Sequence, residues 1–216
     1  MTNRIKAVIF DLDGTLLDTL TDLMNAVNHA LHTYGYPERT RDEVRRFVGN
    51  GIMKLVERAI PDGTANPDYE AVCAETKRHY AAHCEDNTTP YAGILPMLQA
   101  LKAAGYLTAV VSNKPDAQVR HLCDVHFSGL MDAAAGAAEG IRLKPAPNTL
   151  LRILDELHTA KEAAVYVGDS DVDLLTAQNA GIPCISVLWG FRDRDVLESA
   201  GGNRFAQTPH EILQFL

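Results

Sequence analysis

Two aspartates separated by one residue, Asp11 and Asp13, stand directly after the apolar residues 6–10. In a strand such a pair shares one face, and in a loop the two side chains can converge. Close carboxylates repel each other unless a cation lies between them. Mg²⁺ suits this pair because it takes oxygen ligands and keeps several waters. The alternative is an ordinary turn, for which Gly14 supplies the backbone freedom.

A second acidic turn, Gly168-Asp169-Ser170, follows the apolar residues 164–167. Asp169 is a candidate metal ligand. Ser170 and Asp173 have the spacing of a capping box variant at a helix start. Two interpretations of Asp173 are therefore open, a helix cap and a catalytic group, whereas the cap does not need Asp169.

A hydroxyl, an amide and a lysine complete the polar candidates. Ser112 and Asn113 follow the apolar residues 107–111, and Pro115 favours a helix start just after them. They either cap that helix or help to direct polar groups at an anion. Lys144 is either a solvated loop lysine or a point charge for a phosphate group.

These candidates accompany four short apolar segments typical of buried strands. The segments are residues 6–10, 107–111, 164–167 and 183–188. Segments with helical spacing precede the last three, at residues 95–105, 148–157 and 171–179. The alternation predicts an α/β fold with a Rossmann-like, three-layer core, in which helices cover both faces of a parallel sheet. Ligands bind at the carboxyl edge of such sheets, where the candidates stand.

Residues 16–86 depart from this alternation. They contain almost no β-branched run, and apolar residues recur at helical spacing, as in Leu20, Leu23, Val27 and Leu31. The sequence therefore predicts a helical domain at residues 16–86. It is inserted after the first strand of a core formed by residues 1–15 and 87–216.

Composition narrows the classes of partner. The chain has 216 residues and a formal net charge of −8 at pH 7, and no Lys/Arg-rich block favours a nucleic-acid partner. No apolar run approaches the ~18 residues of a membrane span, and residues 1–6 lead into no secretory signal. The four cysteines form no C-x-x-C pair, which favours reduced thiols. We expect a cytoplasmic protein without membrane or nucleic-acid partners.

Taken in order, the polar clusters resemble the motifs of the haloacid dehalogenase-like (HAD) hydrolase superfamily, in its phosphatase branch. The resemblance covers essentially the whole chain, because residues 16–86 stand where the family places a helical cap domain. It implies a Mg²⁺-dependent phosphomonoesterase for a small phosphorylated metabolite, acting as a monomer or homodimer. The matching segments are Phe10-Asp11-Leu12-Asp13-Gly14-Thr15-Leu16, Ser112, Lys144 and Gly168-Asp169-Ser170-x-x-Asp173.

The resemblance also implies a role for each residue. Asp11 would be the nucleophile that forms an aspartyl-phosphate, and Asp13 would be the general acid and base. Mg²⁺ would be held by Asp11, Asp169 and the backbone carbonyl of Asp13. Lys144 would be catalytic by offsetting charge on the nucleophile and the transferred group. The implied substrate-binding residues are Thr15, Ser112 and Asn113, and the implied supporting residues are Ser170 and Asp173.

Within the superfamily, Val48-Gly49-Asn50-Gly51 and residues 55–59 are most similar to the phosphoglycolate phosphatases. The resemblance implies a cap that closes over the site and selects the substrate. The helix after Gly51 could direct N–H groups at an anionic tail such as that of phosphoglycolate. Asn50, Gly51 and Arg58 are therefore candidate substrate-binding residues, and the alternative is a solvated surface.

Other functions remain open. A phosphomutase of the β-phosphoglucomutase type, a pyrophosphatase and a sugar phosphatase belong to the same superfamily. A haloacid dehalogenase is disfavoured, because Asp13 supplies an acid/base that displacement at a C–halogen bond does not need. A binding module on a decayed hydrolase fold is disfavoured, because all four motifs are present.

Overall fold

The computed structural model describes residues 5–216. Residues 1–4, with the start of the predicted core and most of the segment tested for a secretory signal, lie outside the described residues. Contacts divide the chain into two units, Met1–Leu17 with Pro90–Leu216, and Asp18–Thr89. The predicted boundaries at 15/16 and 86/87 lie within a few residues of this division.

The elements are numbered in chain order. The strands are β1 (Ala7–Phe10), β2 (Leu17–Asp18), β3 (Thr89–Pro90), β4 (Leu107–Pro115), β5 (Ala133–Ala137), β6 (Ala164–Gly168), β7 (Cys184–Val187) and β8 (Phe205–Ala206). The α-helices are α1 (Leu20–Thr33), α2 (Arg41–Phe47), α3 (Ile52–Ala59), α4 (Tyr69–His83), α5 (Ile94–Ala103), α6 (Asp116–Phe127), α7 (Asn148–Glu156), α8 (Asp171–Ala180) and α9 (Arg194–Ser199). Short 3₁₀ helices cover Gly63–Ala65, Lys161–Ala163 and Pro209–Phe215.

Six strands form one parallel sheet in the order β5-β4-β1-β6-β7-β8, which confirms the predicted α/β core. β1 lies between β4 and β6, and its last residue, Phe10, pairs with Val110 on one side and Val167 on the other. The three strands therefore reach the carboxyl edge in register. This register places the residues that follow them side by side.

The two faces of the sheet bury alternate residues of β1. Ala7 and Ile9 belong to a core cluster with apolar side chains of α7 and α8. Val8 and Phe10 belong to a second cluster, with apolar side chains of α5 and α6. All four side chains are fully buried, which explains the unbroken apolar run in the sequence. Full burial of one such Val, Ile or Phe side chain contributes roughly 1.5–3 kcal/mol.

β4 and β5 differ from the sequence-based expectation. β4 continues past the predicted residues 107–111 to Pro115, so Ser112 and Asn113 lie in an extended segment instead of capping a helix. α6 begins only at Asp116. β5, with the sequence Ala-Ala-Ala-Gly-Ala, was not predicted, because alanine and glycine have low strand propensity. It forms through its parallel pairing with β4.

The second unit, Asp18–Thr89, contains α1 to α4. The helical spacing predicted along α1 is present, because Leu23, Val27 and Leu31 are buried on one face. α2 begins with a capping box, in which Thr40 Oγ1 accepts the Glu43 N–H and Glu43 Oε2 accepts the Thr40 N–H. Across residues 5–216, the helices are all too short or too polar to span a bilayer.

Candidate active site

The end of β1 places Asp11 at the carboxyl edge of the sheet, with its N–H donating to Val167 O at 2.9 Å. The chain turns sharply at Gly14, whose φ of +84° lies in the left-handed region that glycine adopts readily. A Cβ at Gly14 would also overlap the carboxylate of Asp169. Glycine at this position therefore lets the loop after β1 (residues 11–16, the first loop) lie directly against the loop after β6 (residues 169–170, the fourth loop).

Three aspartates converge at this edge. Asp11, Asp169 and Asp173 each offer a carboxylate oxygen, and these oxygens all lie within 4.8 Å of one another. Asp11 is 8% exposed, Asp169 1% and Asp173 0%. Like charges this close and this well buried are costly unless a cation compensates them or a proton neutralises one of them.

Lys144 supplies one positive charge inside the cluster. Its Nζ lies 2.8 Å from Asp11 Oδ1 and 2.7 Å from Asp173 Oδ1, and it donates to Tyr166 Oη at 3.1 Å. The Tyr166 hydroxyl donates in turn to Val111 O at 3.1 Å. The ammonium group is therefore held between the candidate nucleophile and a supporting carboxylate, and solvation does not explain this lysine.

The carboxylates outnumber this ammonium group, and burial is the main cause that raises the pKa of Asp11 and of Asp169. Burial raises the pKa of Asp11 well above the usual aspartate range, and the Asp173 and Asp169 carboxylates raise it further against the opposing charge of Lys144. Burial and the Asp173 carboxylate raise the pKa of Asp169 to about 7. Burial opposes the charge on Lys144, but Asp11 and Asp173 outweigh it and raise the pKa of Lys144.

The donor set fits a hard divalent cation. Carboxylate oxygens are the ligands that Mg²⁺ prefers, and a bound cation would offset the charge that Lys144 leaves uncompensated. The structure thus brings Asp11 and Asp169 together as predicted. It adds the carboxylate of Asp173 to the candidate ligand cluster, whereas Asp13 was predicted to take part through its backbone carbonyl.

The carboxylate of Asp13 lies beside a different buried lysine, Lys114. Lys114 Nζ lies 3.0 Å from Asp13 Oδ1, and the Lys114 side chain is only 3% exposed. The sequence alone assigns no role to Lys114. The signal was its position directly after two polar candidates, and only the extended course of β4 shows that it reaches Asp13.

The predicted phosphate-binding side chains are all close to this edge but have partners within the protein. Ser112 is buried, and its Oγ accepts the Lys114 N–H. Asn113 holds the backbone of Lys144 from both sides: its Nδ2 donates to Lys144 O at 3.1 Å, and its Oδ1 accepts the Lys144 N–H at 2.8 Å. The Thr15 hydroxyl donates to Asp169 Oδ1 at 3.2 Å. Asn113 and Thr15 therefore position the loops of the site, and substrate binding by these side chains stays a prediction.

The structure bears on one of the two interpretations of Asp173, the helix cap, and a catalytic role stays a prediction. Ser170 and Asp173 form the predicted capping box at the start of α8. In this box Asp173 Oδ2 accepts the Ser170 hydroxyl at 2.6 Å, while Oδ1 faces Lys144. The capping hydrogen bonds therefore orient the Asp173 carboxylate that pairs with Lys144.

Comparison with known proteins decides the family. Residues 8–187 match the family model described as haloacid dehalogenase-like hydrolase. The chain belongs to this family. It is 32% identical over 188 residues to the phosphoglycolate phosphatase of Aquifex aeolicus, covering 87% of this chain and 86% of that one. It is 34% identical over 207 residues to phosphoglycolate phosphatase 1 of Pseudomonas aeruginosa, covering 92% and 75%.

A solved structure of a Lactobacillus delbrueckii subsp. bulgaricus protein is similar throughout. It superimposes with a TM-score of 0.94 at 33% identity and covers 98% of each chain. The similarity extends over both units of this haloacid dehalogenase-like hydrolase, so the family assignment does not rest on the α/β unit alone.

The remaining candidates of this hydrolase lie in the second unit. Arg58 on α3 donates to Phe47 O at 2.6 Å and to Asn50 Oδ1 at 3.0 Å. Gly51, with a φ of +81°, immediately precedes α3. The structure thus brings Asn50, Gly51 and Arg58 together in one corner of this second unit, the insert, where Arg58 is exposed and the other two are half-buried. Their contact with a substrate stays a prediction.

Sequence reasoning missed two further parts of the site. Tyr166 was recognised only as a residue of a buried strand, and its hydroxyl reaches both Lys144 and Asp173. Residues 189–191 contact the first and fourth loops through Trp189 and Phe191. The signal in the sequence was their position directly after a predicted strand.

Proposed function

We propose that this phosphatase hydrolyses a small phosphomonoester, 2-phosphoglycolate, with Mg²⁺ and through an aspartyl-phosphate on Asp11. The observation that carries the proposal is the buried convergence of Asp11, Asp169 and Asp173 around Lys144 at one sheet edge. Two relatives named phosphoglycolate phosphatase support the choice of substrate.

Asp11 and Asp169, with the backbone carbonyl of Asp13, would hold Mg²⁺. The cation would supply a Lewis acid that neutralises the phosphoryl oxygens. Asp173 supports the site by holding Lys144 at 2.7 Å. Lys144 in turn lies 2.8 Å from the oxygen of Asp11 that faces it, and so offsets the charge of the nucleophile beside the incoming dianion.

The reaction proceeds in two displacements. An Asp11 oxygen attacks phosphorus, the P–O bond to the glycolate oxygen breaks, and Asp13 gives its proton to that leaving oxygen. Asp13 then takes a proton from water as the water oxygen attacks the same phosphorus, which returns Asp11 as a carboxylate and releases phosphate. Lys114, 3.0 Å from Asp13, keeps this carboxyl group oriented between the two steps.

Substrate selection is assigned to the insert. Arg58 is a cation whose guanidinium already binds Asn50 and the backbone of Phe47, so its position is held by two hydrogen bonds. A guanidinium held in this way suits a carboxylate, which accepts paired N–H donors. We assign recognition of the glycolate carboxylate to Arg58 and Asn50.

The test is phosphate release from a panel of phosphorylated metabolites, each assayed with Mg²⁺ and with excess chelator. The proposal expects sustained release, the highest kcat/KM for 2-phosphoglycolate, and loss of activity with chelator that Mg²⁺ restores. Full activity in chelator contradicts the metal assignment. Transfer to a second hydroxyl without net phosphate release indicates a phosphomutase, and a sugar phosphate at the head of the ranking overturns the substrate.

A further inference from the structure

The loop between β7 and α9, residues 188–193, contacts the candidate cation site and lies outside the four motifs. Trp189 Nε1 donates to Thr15 O at 2.9 Å, in the first loop. The Phe191 N–H donates to Asp169 Oδ2 at 2.7 Å, in the fourth. Thr15 closes the connection by donating its hydroxyl to Asp169 Oδ1 at 3.2 Å.

Both oxygens of Asp169 are thus held by donors. Each carboxylate oxygen has a second lone pair, so these hydrogen bonds orient the group without preventing coordination. Outer donors of this kind fix the direction in which a metal ligand points. Two of these three hydrogen bonds, those donated by Trp189 and Phe191, originate in the 188–193 loop.

Gly190 stands between Trp189 and Phe191 and lies close to Asp169 and to the first loop. A Cβ built on Gly190 would lie 2.5 Å from Asp169 Oδ2 and 2.5 Å from Gly14 O. The φ of Gly190 is outside the left-handed region, so space, and not backbone conformation, excludes a side chain here. A methyl group at this position must displace the Asp169 carboxylate or the first loop.

We propose that the 188–193 loop is a positioning element that sets the cation affinity of the site. Trp189 fixes the first loop, Phe191 fixes Asp169, and Gly190 permits their close approach. The inference rests on the proposed function, because it assumes that Asp169 is a cation ligand. It assigns a role to residues outside the four motifs.

The test is calorimetric titration of the full chain with Mg²⁺ alone, without substrate. Gly190→Ala is expected to weaken Mg²⁺ binding about 10- to 100-fold, the range for lost outer-sphere support. Trp189→Phe keeps an aromatic ring but removes one N–H donor, and is expected to weaken binding about fivefold. Gly105→Ala is the matched control, because its added Cβ meets nothing within 4 Å, although its φ of +83° strains the backbone.

The outcomes distinguish a failure of the loop inference from a failure of the metal assignment. Wild-type affinity in both Gly190→Ala and Trp189→Phe overturns the inference, and so does an equal loss of affinity in Gly105→Ala. If circular dichroism shows that Gly190→Ala does not fold, Trp189→Phe decides alone. A wild-type chain that binds no Mg²⁺ overturns the metal assignment of the proposed function and this inference with it. Binding by the wild type with unchanged variants overturns only this inference.

Discussion

The carboxyl edge of the sheet and the Asn50–Arg58 corner of the insert are both polar, but they are built differently. At the sheet edge, the side chains of Asp11, Lys144 and Asp173 are at most 11% exposed and pair with one another. At the insert corner, Arg58 is an exposed side chain held by two hydrogen bonds within its own unit. Buried charges without partners are costly, so the first arrangement tolerates few substitutions. The second can vary at little cost to stability.

Under the proposed function, this contrast assigns the reaction to the sheet edge and substrate selection to the insert. The buried groups at the sheet edge can carry the large electrostatic effects of phosphoryl transfer, because the low dielectric of a buried site strengthens each charge. The exposed corner is screened by water, and it can contribute only a modest preference among substrates. Substitutions in the two regions should therefore differ in both the size and the kind of their effects.

The largest expected effect is at the nucleophile. Asp11→Asn replaces the attacking carboxylate with a neutral amide of almost the same shape, and should lower kcat by about 10⁴-fold or more, as removal of a nucleophile does elsewhere. Phosphate release with 2-phosphoglycolate measures this, and circular dichroism checks the fold. Near-normal turnover in a correctly folded variant would rule out Asp11 as the nucleophile.

Lys144→Met should have the next largest effect, a fall in kcat of about 10²- to 10³-fold, the usual cost of removing one charge-stabilising group. The cause is the loss of the ammonium group that lies between Asp11 and Asp173. Lys102→Met is the matched control, because it removes a lysine whose ion pair with Asp132 is more exposed. A kcat of Lys144→Met as high as that of Lys102→Met would contradict the role of Lys144 in offsetting charge on the nucleophile.

Lys114→Met tests the pair that sequence reasoning overlooked. Loss of the ammonium group 3.0 Å from Asp13 should lower kcat about 10- to 100-fold, part of the 10²- to 10⁴-fold that general acid–base catalysis supplies. KM should change little. Lys114→Arg should recover part of the loss, because it restores a cation. An unchanged kcat in Lys114→Met would show that Asp13 does not need this lysine.

Arg58→Ala should have the smallest effect, about a two- to fivefold rise in KM for 2-phosphoglycolate with kcat nearly constant, as expected for an exposed charge. Asn50→Ala should behave in the same way, because its Oδ1 holds the Arg58 guanidinium. Arg78→Ala is the control, since this exposed arginine pairs with Glu75 elsewhere in the insert. Wild-type KM in both Arg58→Ala and Asn50→Ala would remove this corner from substrate recognition.

The elements that sequence predicted well are those that local rules determine. α8 ends at Ala180, one residue after the predicted segment 171–179, because Gly181 in the left-handed conformation ends the helix. The Ser170–Asp173 capping box is also determined locally, because the two residues have the spacing that caps the start of a helix. The apolar run of β1 predicted a buried strand, because burial on both faces leaves no polar alternation.

The elements that sequence missed depend on distant partners. β5 is rich in alanine and exists through pairing with β4. The amide of Asn113 holds the backbone of Lys144, which is 31 residues away in the chain, and substrate binding by this amide stays a prediction. The hydroxyl of Tyr166 likewise contacts Lys144, which is 22 residues away in the chain. Such contacts have no periodicity or spacing signal in a single sequence.

The most direct test of the central claim is to locate the phosphoryl group on the enzyme. Asp13→Asn, which should slow breakdown of the phosphoenzyme, is mixed with Mg²⁺ and 2-phosphoglycolate, quenched, and treated with borohydride, which reduces an aspartyl-phosphate to homoserine. Peptide mass spectrometry should then show homoserine at position 11, and only when Mg²⁺ is present. An unmodified Asp11, together with modification at another residue or phosphate release without any modified peptide, would contradict the account.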